Sequence, residues 1–436
     1  MPRSVPQGDL HPLIAVASEV RERGHSAVFC TCPGYREKIE ALGFEFHPLR
    51  PDLPQEEAEA VRWRREIMDT KKGTDRLLRG FLFPNLRATY DDLVQALAAS
   101  DGTDLLVSGE IVYAAPLAAE KTGVRWVSSH LSPLSFFSAY DPPILPPVPG
   151  LSRLLRRLDP GVNRQAFRLM RLYTRSWSQP VRQLRTELGL PKPRKGSDPI
   201  YDAKNSSHLV LAMFSSALAL LQPDWPPNTV LTGFAFYDAA REQNLSELKA
   251  FFAAGEPPIV FTLGSAAVFD PGRFYEESAR AAALLKRRAI LLVGANTPSA
   301  SPSKFILRCD YLPYSEVFPF AAAVVHQGGV GTTAQAMRAG CPMLIMPFSH
   351  DQPDNADRLV RLGLARKISR RAYSAERAAT ELNCLLNQRL YKERALKISR
   401  QIQKENGAGA AAGALENLLS TRPELMGRAP SCNHCV

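Results

Sequence analysis

The run His326-Gln-Gly-Gly-Val-Gly-Thr-Thr333 sets three glycines, two hydroxyls and an imidazole side by side. The apolar stretch 321–325 before it reads as a buried strand, and 332–339 after it reads as the first turns of a helix. A glycine-rich turn that feeds a helix N-terminus suits an anion. The first amides of a helix have no intrahelical partner and its dipole adds roughly half a positive charge there, so a phosphate is held without a metal. Gly328, Gly329 and Gly331 let the backbone approach the anion, Thr332 and Thr333 add hydroxyl donors, and His326 can donate to a phosphate oxygen. A tight strand-to-helix turn with glycines for packing alone is the competing reading of the same residues.

A second cluster narrows the ligand. Met343-Leu-Ile-Met346 is another short apolar strand, and Pro347-Phe-Ser-His-Asp-Gln-Pro-Asp-Asn-Ala356 follows it. Ser349, His350, Asp351 and Gln352 therefore sit at the carboxyl end of a strand, where open α/β sheets bind ligands. A carboxylate beside a carboxamide suits the vicinal hydroxyls of a sugar, since one accepts and the other both accepts and donates. One helix and one strand separate the two clusters, which returns them to the same sheet edge. Together they predict a site for a diphosphate carrying a sugar.

These residues resemble the donor-binding signature of the family 1 GT-B glycosyltransferases, which include plant and bacterial natural-product and sterol glycosyltransferases. The match is to H-x-G-G-x-G-T-T followed by P-x-x-x-D-Q-P-x-N-A. The resemblance implies that Gly264 and Ser265, ending Ile259-Val-Phe-Thr-Leu-Gly-Ser265, sit beside the phosphates. It also puts Tyr311-Leu-Pro-Tyr314, with Pro313, where plant relatives carry Trp-x-Pro-Gln, so that Tyr311 stacks on the nucleotide base. Tyr314 replaces the glutamine of that pattern, and Ala334 falls where the ribose-binding glutamate stands, which leaves UDP or dTDP open. Gln352 points to glucose.

The segment Gly8-Asp-Leu-His-Pro12, before a helical pattern, is similar to the G-[HD]-x-x-P segment whose second residue is the general base. Asp9 is then the candidate for deprotonating the acceptor hydroxyl as it attacks the anomeric carbon, with His11 as the fallback and helix capping as the structural alternative. Ser108 stands where plant relatives carry an orienting aspartate; Glu110 is the substitute partner or a solvated loop residue. The implied reaction is an inverting, metal-independent hexosyl transfer from a UDP- or dTDP-sugar. No metal or cofactor is expected, the nucleotide-sugar being a co-substrate. A nucleotide-sugar epimerase of the same architecture and a sugar-nucleotide-binding protein without turnover are the alternatives.

With 436 residues and 45% hydrophobic content, the chain exceeds a single core and supports sizeable burial. Apolar strands near 27–30, 104–108, 125–128 and 208–212, then near 259–263, 289–293, 321–325 and 343–346, alternate with helices. That pattern predicts an α/β protein with two Rossmann-like doubly wound parallel sheets facing across a cleft. The expected division is an acceptor domain 1–232, a linker 233–244, a donor domain 245–405, a helix 406–419 that crosses back to the first domain, and a tail 420–436. Family members open with a buried apolar strand before the glycine turn. Met1-Pro-Arg-Ser-Val-Pro-Gln7 cannot make a central strand, so that first strand is expected to be missing and Asp9 loosened.

No apolar run is long enough to span a membrane and no signal peptide opens the chain, so the expected place is cytoplasmic, or peripheral at the inner membrane face. The seven cysteines are scattered, and Cys432-Asn-His-Cys435 lacks a second pair for zinc. Net charge is +11, and 151–195 holds twelve Lys or Arg against two Asp or Glu, interleaved with apolar residues in a helical pattern. Such a segment fits either an anionic membrane surface or a solvated face. No nucleic-acid recognition motif accompanies the charge. The proline-rich loop 132–147 offers Phe136, Phe137 and Tyr140 as an aromatic wall for a hydrophobic acceptor, such as a natural product, sterol or lipid.

Overall fold

Short runs rich in Val, Ile and Leu alternate with amphipathic helices along the chain, and every strand pair they form is parallel. The computed structural model describes residues 10–54, 56–100, 102–193, 197–238, 246–294 and 305–421. Asp9, Cys432 and Cys435 lie outside the described residues.

The first half contributes β1 (Val28–Thr31), β2 (Glu45–Pro48), β3 (Leu105–Gly109), β4 (Arg125–His130), β5 (Leu209–Ala212) and β6 (Thr229–Leu231). The second contributes β7 (Ile259–Thr262), β8 (Ala289–Leu292), β9 (Ile306–Cys309), β10 (Ala323–His326), β11 (Met343–Ile345) and β12 (Ala365–Lys367). The helices that bear on the site are α1 (Leu10–Glu22), α2 (Pro149–Leu155), α3 (Pro160–Thr174), α4 (Gln179–Glu187), α5 (Val330–Arg338), α6 (Gln352–Arg361) and α7 (Gly407–Ser420).

The second sheet runs β12-β11-β10-β7-β8-β9. Its first strand in sequence is central, and the winding direction reverses between β7 and β10, the doubly wound arrangement. Successive side chains point to opposite faces, and both faces are covered: Ile259, Phe261, Leu291, Val325 and Leu344 pack into one core, Val260, Ile290, Val324, Met343 and Ile345 into another. The first half forms the sheet β3-β4-β5-β6 and a separate pair β1-β2. No strand joins β1 to β3 among the described residues, and both of these strands are partly exposed where β5 is buried throughout. The strands that the sequence pattern does not reveal, β2, β6, β9 and β12, are all outer strands of their sheets. Half-exposed edges need no continuous apolar run, so the signal that marks a central strand is absent there.

Past β6 the chain runs without regular structure from 232 to 238, beside the entry to α7. A Cβ at Gly407 would lie 2.4 Å from Phe234 O, so the two segments pass at backbone contact. From there α7 packs Ala411, Leu415 and Leu418 against Ala15 and Val16 of α1 and Val127, Leu209 and Leu211 of the first sheet. Arg23 Nη1 donates to Glu416 at 2.9 Å and Arg125 Nη1 to Leu418 O at 2.8 Å.

A buried ion network fastens the halves elsewhere. Asp354 Oδ2 accepts from Arg358 Nε at 2.7 Å, and its Oδ1 accepts from Arg156 Nη2 at 2.6 Å and from Ile144 N at 2.8 Å. Arg358 also pairs with Asp141 and Arg156 with Asp357. Asp354 and Arg358 are 0% and 2% exposed. Burial works against the charged forms of Asp141 and Asp357, yet the surrounding arginines, with Lys367 at Asp357, hold both carboxyls below the usual range. That contribution is present above the ordinary carboxylate pKa and is lost as pH falls through the depressed one. Asp354→Ala would leave Arg156 and Arg358 buried beside a missing carboxylate, at an expected cost of about 3–5 kcal/mol. Denaturant unfolding checks this, and a loss under about 1 kcal/mol would show that the network carries little.

Candidate active site between the two sheets

The carboxyl ends of β7 and β10 lie side by side at the point where the winding reverses, and the glycine turns follow both strands. Gly328 has φ +90°, a left-handed conformation that favours glycine. A Cβ there would sit 2.9 Å from Ile345 Cγ2 and 3.1 Å from Gln352 O. At Gly264, with φ +64°, and at Gly329, a Cβ would approach Gln327 Nε2 to 2.3 Å and 2.8 Å. Packing therefore accounts for these three glycines. It does not account for Gly331, where a Cβ would meet nothing within 4 Å, so the first turn of α5 is open above the backbone.

Around that opening, polar atoms are buried without partners. His326 is 0% exposed; its Nδ1 accepts from Gly328 N at 3.1 Å, so the proton of the neutral ring is on Nε2, and Nε2 has no partner among the described residues. Thr333 Oγ1 and Gln327 Oε1 are in the same condition. Burial depresses the His326 pKa to about 3, which keeps the imidazole neutral and donating from Nε2. Buried polar atoms without partners cost about 1–3 kcal/mol each; two of the three, His326 Nε2–H and the Thr333 hydroxyl, are donors suited to an anion, whereas Gln327 Oε1 is an acceptor. Thr262 Oγ1 and the Tyr314 hydroxyl lie 3.0 Å apart, and Gly264 N donates to Thr262 Oγ1 at 3.3 Å. Tyr314 thus braces the floor of the turn. Tyr311, three residues earlier and past Leu312 and Pro313, is 55% exposed, leaving its ring available for stacking. Ser265 lies in the short helix 264–267, and its side chain is outside the described set.

The second motif meets the first. Gly328 O accepts from Asn355 Nδ2 at 3.0 Å, and Asn355 Nδ2 also donates to Asp351 Oδ2 at 2.7 Å. Gln352 Oε1 accepts from Phe348 N at 2.9 Å, which leaves the amide nitrogen to donate. His350 holds φ +55°, a strained conformation for a residue with a side chain. The first half clasps this loop: Ser349 Oγ donates to Asp69 O at 3.0 Å and Thr70 Oγ1 to Phe348 O at 2.9 Å.

In the first half, His11 lies in the first turn of α1 but turns to the helix between β1 and β2, with Nε2 2.5 Å from Lys38 Nζ, and its ring is 5.1 Å from that of Tyr237. Burial, then Lys38, lowers its pKa to about 4, so it is a weak fallback base. Ser108 Oγ accepts from Trp126 Nε1 at 2.9 Å, deep beneath the site. Glu110 is not a solvated loop residue. At the carboxyl end of the first sheet it accepts from Lys204 Nζ at 3.2 Å and lies 3.4 Å from His130 Nδ1, and His130, 0% exposed, has no partner at Nε2 among the described residues. Burial opposes the Glu110 charge, but Lys204 and His130 hold its pKa far below normal. These three residues are far apart in sequence with no motif spacing, so only the sheet order reveals them. Phe136, Phe137 and Tyr140 do not form one wall. Phe136 stacks on Trp225 at 4.0 Å and touches His130, Phe137 turns to Phe167 and Tyr201, and Tyr140 stays exposed with its hydroxyl bound by Arg164.

Comparison with known proteins shows the family. The chain is 30% identical over 426 residues to O-mycaminosyltylonolide 6-deoxyallosyltransferase of Streptomyces fradiae, covering 95% of this chain and 96% of that one. The chain belongs to the family 1 GT-B glycosyltransferases. Residues 297–418 of this glycosyltransferase match the family described as erythromycin biosynthesis protein CIII-like, C-terminal domain. A sterol 3-beta-glucosyltransferase of Arabidopsis thaliana is 25% identical over 439 residues, and the match spans 96% of this chain and 65% of the plant protein. Among solved structures, the glycotransferase of kitacinnamycin superposes with TM-score 0.67 at 20% identity over 94% of this chain and 96% of that one. A glycosyltransferase solved in complex with dTDP gives 0.63 at 18% identity, over 94% and 96%. At these identities the structures support the fold alone.

Two outcomes follow for the glycosyltransferase. His326→Ala should weaken binding of UDP or dTDP by about tenfold to a hundredfold, the range for a hydrogen bond to a charged group, read as a smaller ligand-induced thermal stabilisation. An unchanged shift would remove His326 from the site. Because the folded pKa of His326 lies below its ordinary 6.5, the unfolded chain binds the extra proton first, and stability falls as pH drops below about 6.5. Between pH 6 and 4.5 the wild type should therefore lose more stability than His326→Gln, by up to about 1.4 kcal/mol per pH unit; parallel curves would refute the buried neutral ring.

Proposed function

We propose that this glycosyltransferase moves a hexose from a UDP- or dTDP-sugar to a hydroxyl of a hydrophobic acceptor, with inversion and without a metal. The observation that carries this reading is the group of unpartnered buried donors, His326 Nε2 and Thr333 Oγ1, beside the open first turn of α5. Aimed at a diphosphate, these groups and the helix N-terminus take up the negative charge that develops on the leaving group. Gly264, Ser265, Gly328, Gly329, Gly331 and Thr332 complete the phosphate cradle, Tyr311 with Pro313 takes the base, and Asp351 and Gln352 take the sugar hydroxyls. Asp9, adjacent in sequence to α1, removes the acceptor proton as the new C–O bond forms on the face opposite the diphosphate. The S. fradiae relative is named for O-mycaminosyltylonolide and the Arabidopsis relative for a sterol, which supports an apolar acceptor with a free hydroxyl.

The test offers UDP-glucose and dTDP-glucose with a panel of apolar hydroxyl acceptors and reads the anomeric configuration of the product. An α-linked donor should give a β-linked product, chelators should leave the rate unchanged, and Asp9→Asn should lower kcat by at least about a hundredfold while donor binding persists. An α-linked product, loss of activity on chelation, or conversion of the donor with no acceptor present would each overturn the mechanism.

A further inference from the structure

The helix α3 carries an apolar line on its exposed surface. Its inward line is seated on the acceptor loop: Phe167 packs with Leu155 of α2 on Ala139, and Asn163 Nδ2 donates to Ala139 O at 2.8 Å. The opposite line, Val162, Leu169 and Tyr173 with Leu172 beside it, points away from the protein at helical spacing. Leu169, Leu172 and Tyr173 are 68%, 64% and 82% exposed, and Leu151 and Leu154 of the neighbouring α2 are also exposed. Single exposed apolar side chains are ordinary, whereas a line of them along one helix marks a contact surface.

Charge decides what the surface meets. Arg156, Arg171, Arg182 and Arg185 are each held by a carboxylate. Arg157, Arg164, Arg168 and Arg175, on or flanking α3, are exposed and enter no ion pair among the described residues. Asp159, itself exposed, is engaged as the cap of α3, accepting from Gly161 N at 2.6 Å. The partner must therefore be apolar and anionic over the same patch. We propose that α3, with α2 beside it, docks the enzyme on the surface of a membrane that contains anionic lipid. The leucines and Tyr173 enter the acyl boundary and the arginines bind headgroup phosphates. Arg164 Nη2 also donates to the Tyr140 hydroxyl at 2.7 Å, and Ser132 of the same loop reaches Asn355 beside the donor turn. Docking through α3 thus places the acceptor loop against the lipid phase. In this the inference rests on the reading of a hydrophobic acceptor, although adsorption itself requires no turnover.

The experiment is co-sedimentation of the full chain with phosphatidylcholine vesicles, with and without phosphatidylglycerol, at low and high salt. The protein should pellet with the anionic vesicles at low salt and be released at high salt. Arg168→Glu with Arg175→Glu, and separately Leu169→Ser with Tyr173→Ser, should each lower the bound fraction by about tenfold or more. Thermal stabilisation by UDP or dTDP should be unchanged in both variants, which shows them folded with the donor site intact and separates failure here from failure of the transferase reading. No binding to anionic vesicles at low salt, or binding indifferent to both variants, overturns the proposal. Concentration-dependent self-association abolished by Leu169→Ser and Tyr173→Ser would overturn it in favour of a protein contact.

Discussion

The candidate site depends on one constraint, the reversal of winding between β7 and β10. Two parallel strands that send their chains to opposite faces leave a crevice at their carboxyl ends with no connection crossing it. Here that crevice receives the turn after Thr262 and the turn after His326, and between them lies the unpaired N-terminus of α5. The nesting is tight enough that Gln327 fills the space a Cβ would take at both Gly264 and Gly329. A larger residue at either place would displace Gln327 and open the turn, and Gly328 can neither lose its positive φ nor accept a side chain against Ile345. Of the four positions 328–331 only Gly331 has open space for a side chain, since Val330 packs against the core.

A second constraint joins the two halves through α6. Asp351 just before it and Gln352 and Asn355 in its first turn lie against the glycine turn at Gly328. Asp354, Asp357 and Arg358, on another side of the same short helix, carry the ion network to Asp141 and Arg156. Any displacement of the loop 132–147 is thus transmitted to α6. The clasp of the 348–350 loop by Asp69 and Thr70 acts in the same sense from the opposite side. A left-handed His350 is held between these attachments, where surrounding contacts outweigh a local strain of about 1–3 kcal/mol.

The parts legible in the sequence are those where one local pattern encodes both structure and chemistry. Central strands buried on two faces read as apolar runs, and the donor turn reads through glycines whose spacing the backbone itself demands. Edge strands are half exposed and lose that signature. The polar cluster of the first sheet was less legible for a different reason. Glu110, His130 and Lys204 come together only because β3 and β4 are neighbours and the chain returns past them before β5, a fact of topology that no spacing carries. Phe136 and Phe137 are consecutive, and their order suggests a joint wall. The left-handed Phe137, at φ 46°, turns the two rings into separate clusters.

The distribution of charge follows from the same architecture. A net charge of +11 is not spread evenly. The second half uses carboxylates at the start of α6, where they also suit the helix dipole, and draws arginines from the first half to neutralise them. A planar guanidinium can serve two carboxylates at once, as Arg156 does for Asp354 and Asp357, which a lysine ammonium cannot match in geometry. That demand explains arginine at the inner edge of the segment 151–195. It does not reach the outer face of α3, where arginines stand beside exposed leucines and a tyrosine with no internal carboxylate to meet. Two populations of the same residue type, adjacent in sequence, therefore answer to different partners: one is fixed by the contact between the domains, and the other is set by what lies outside the molecule.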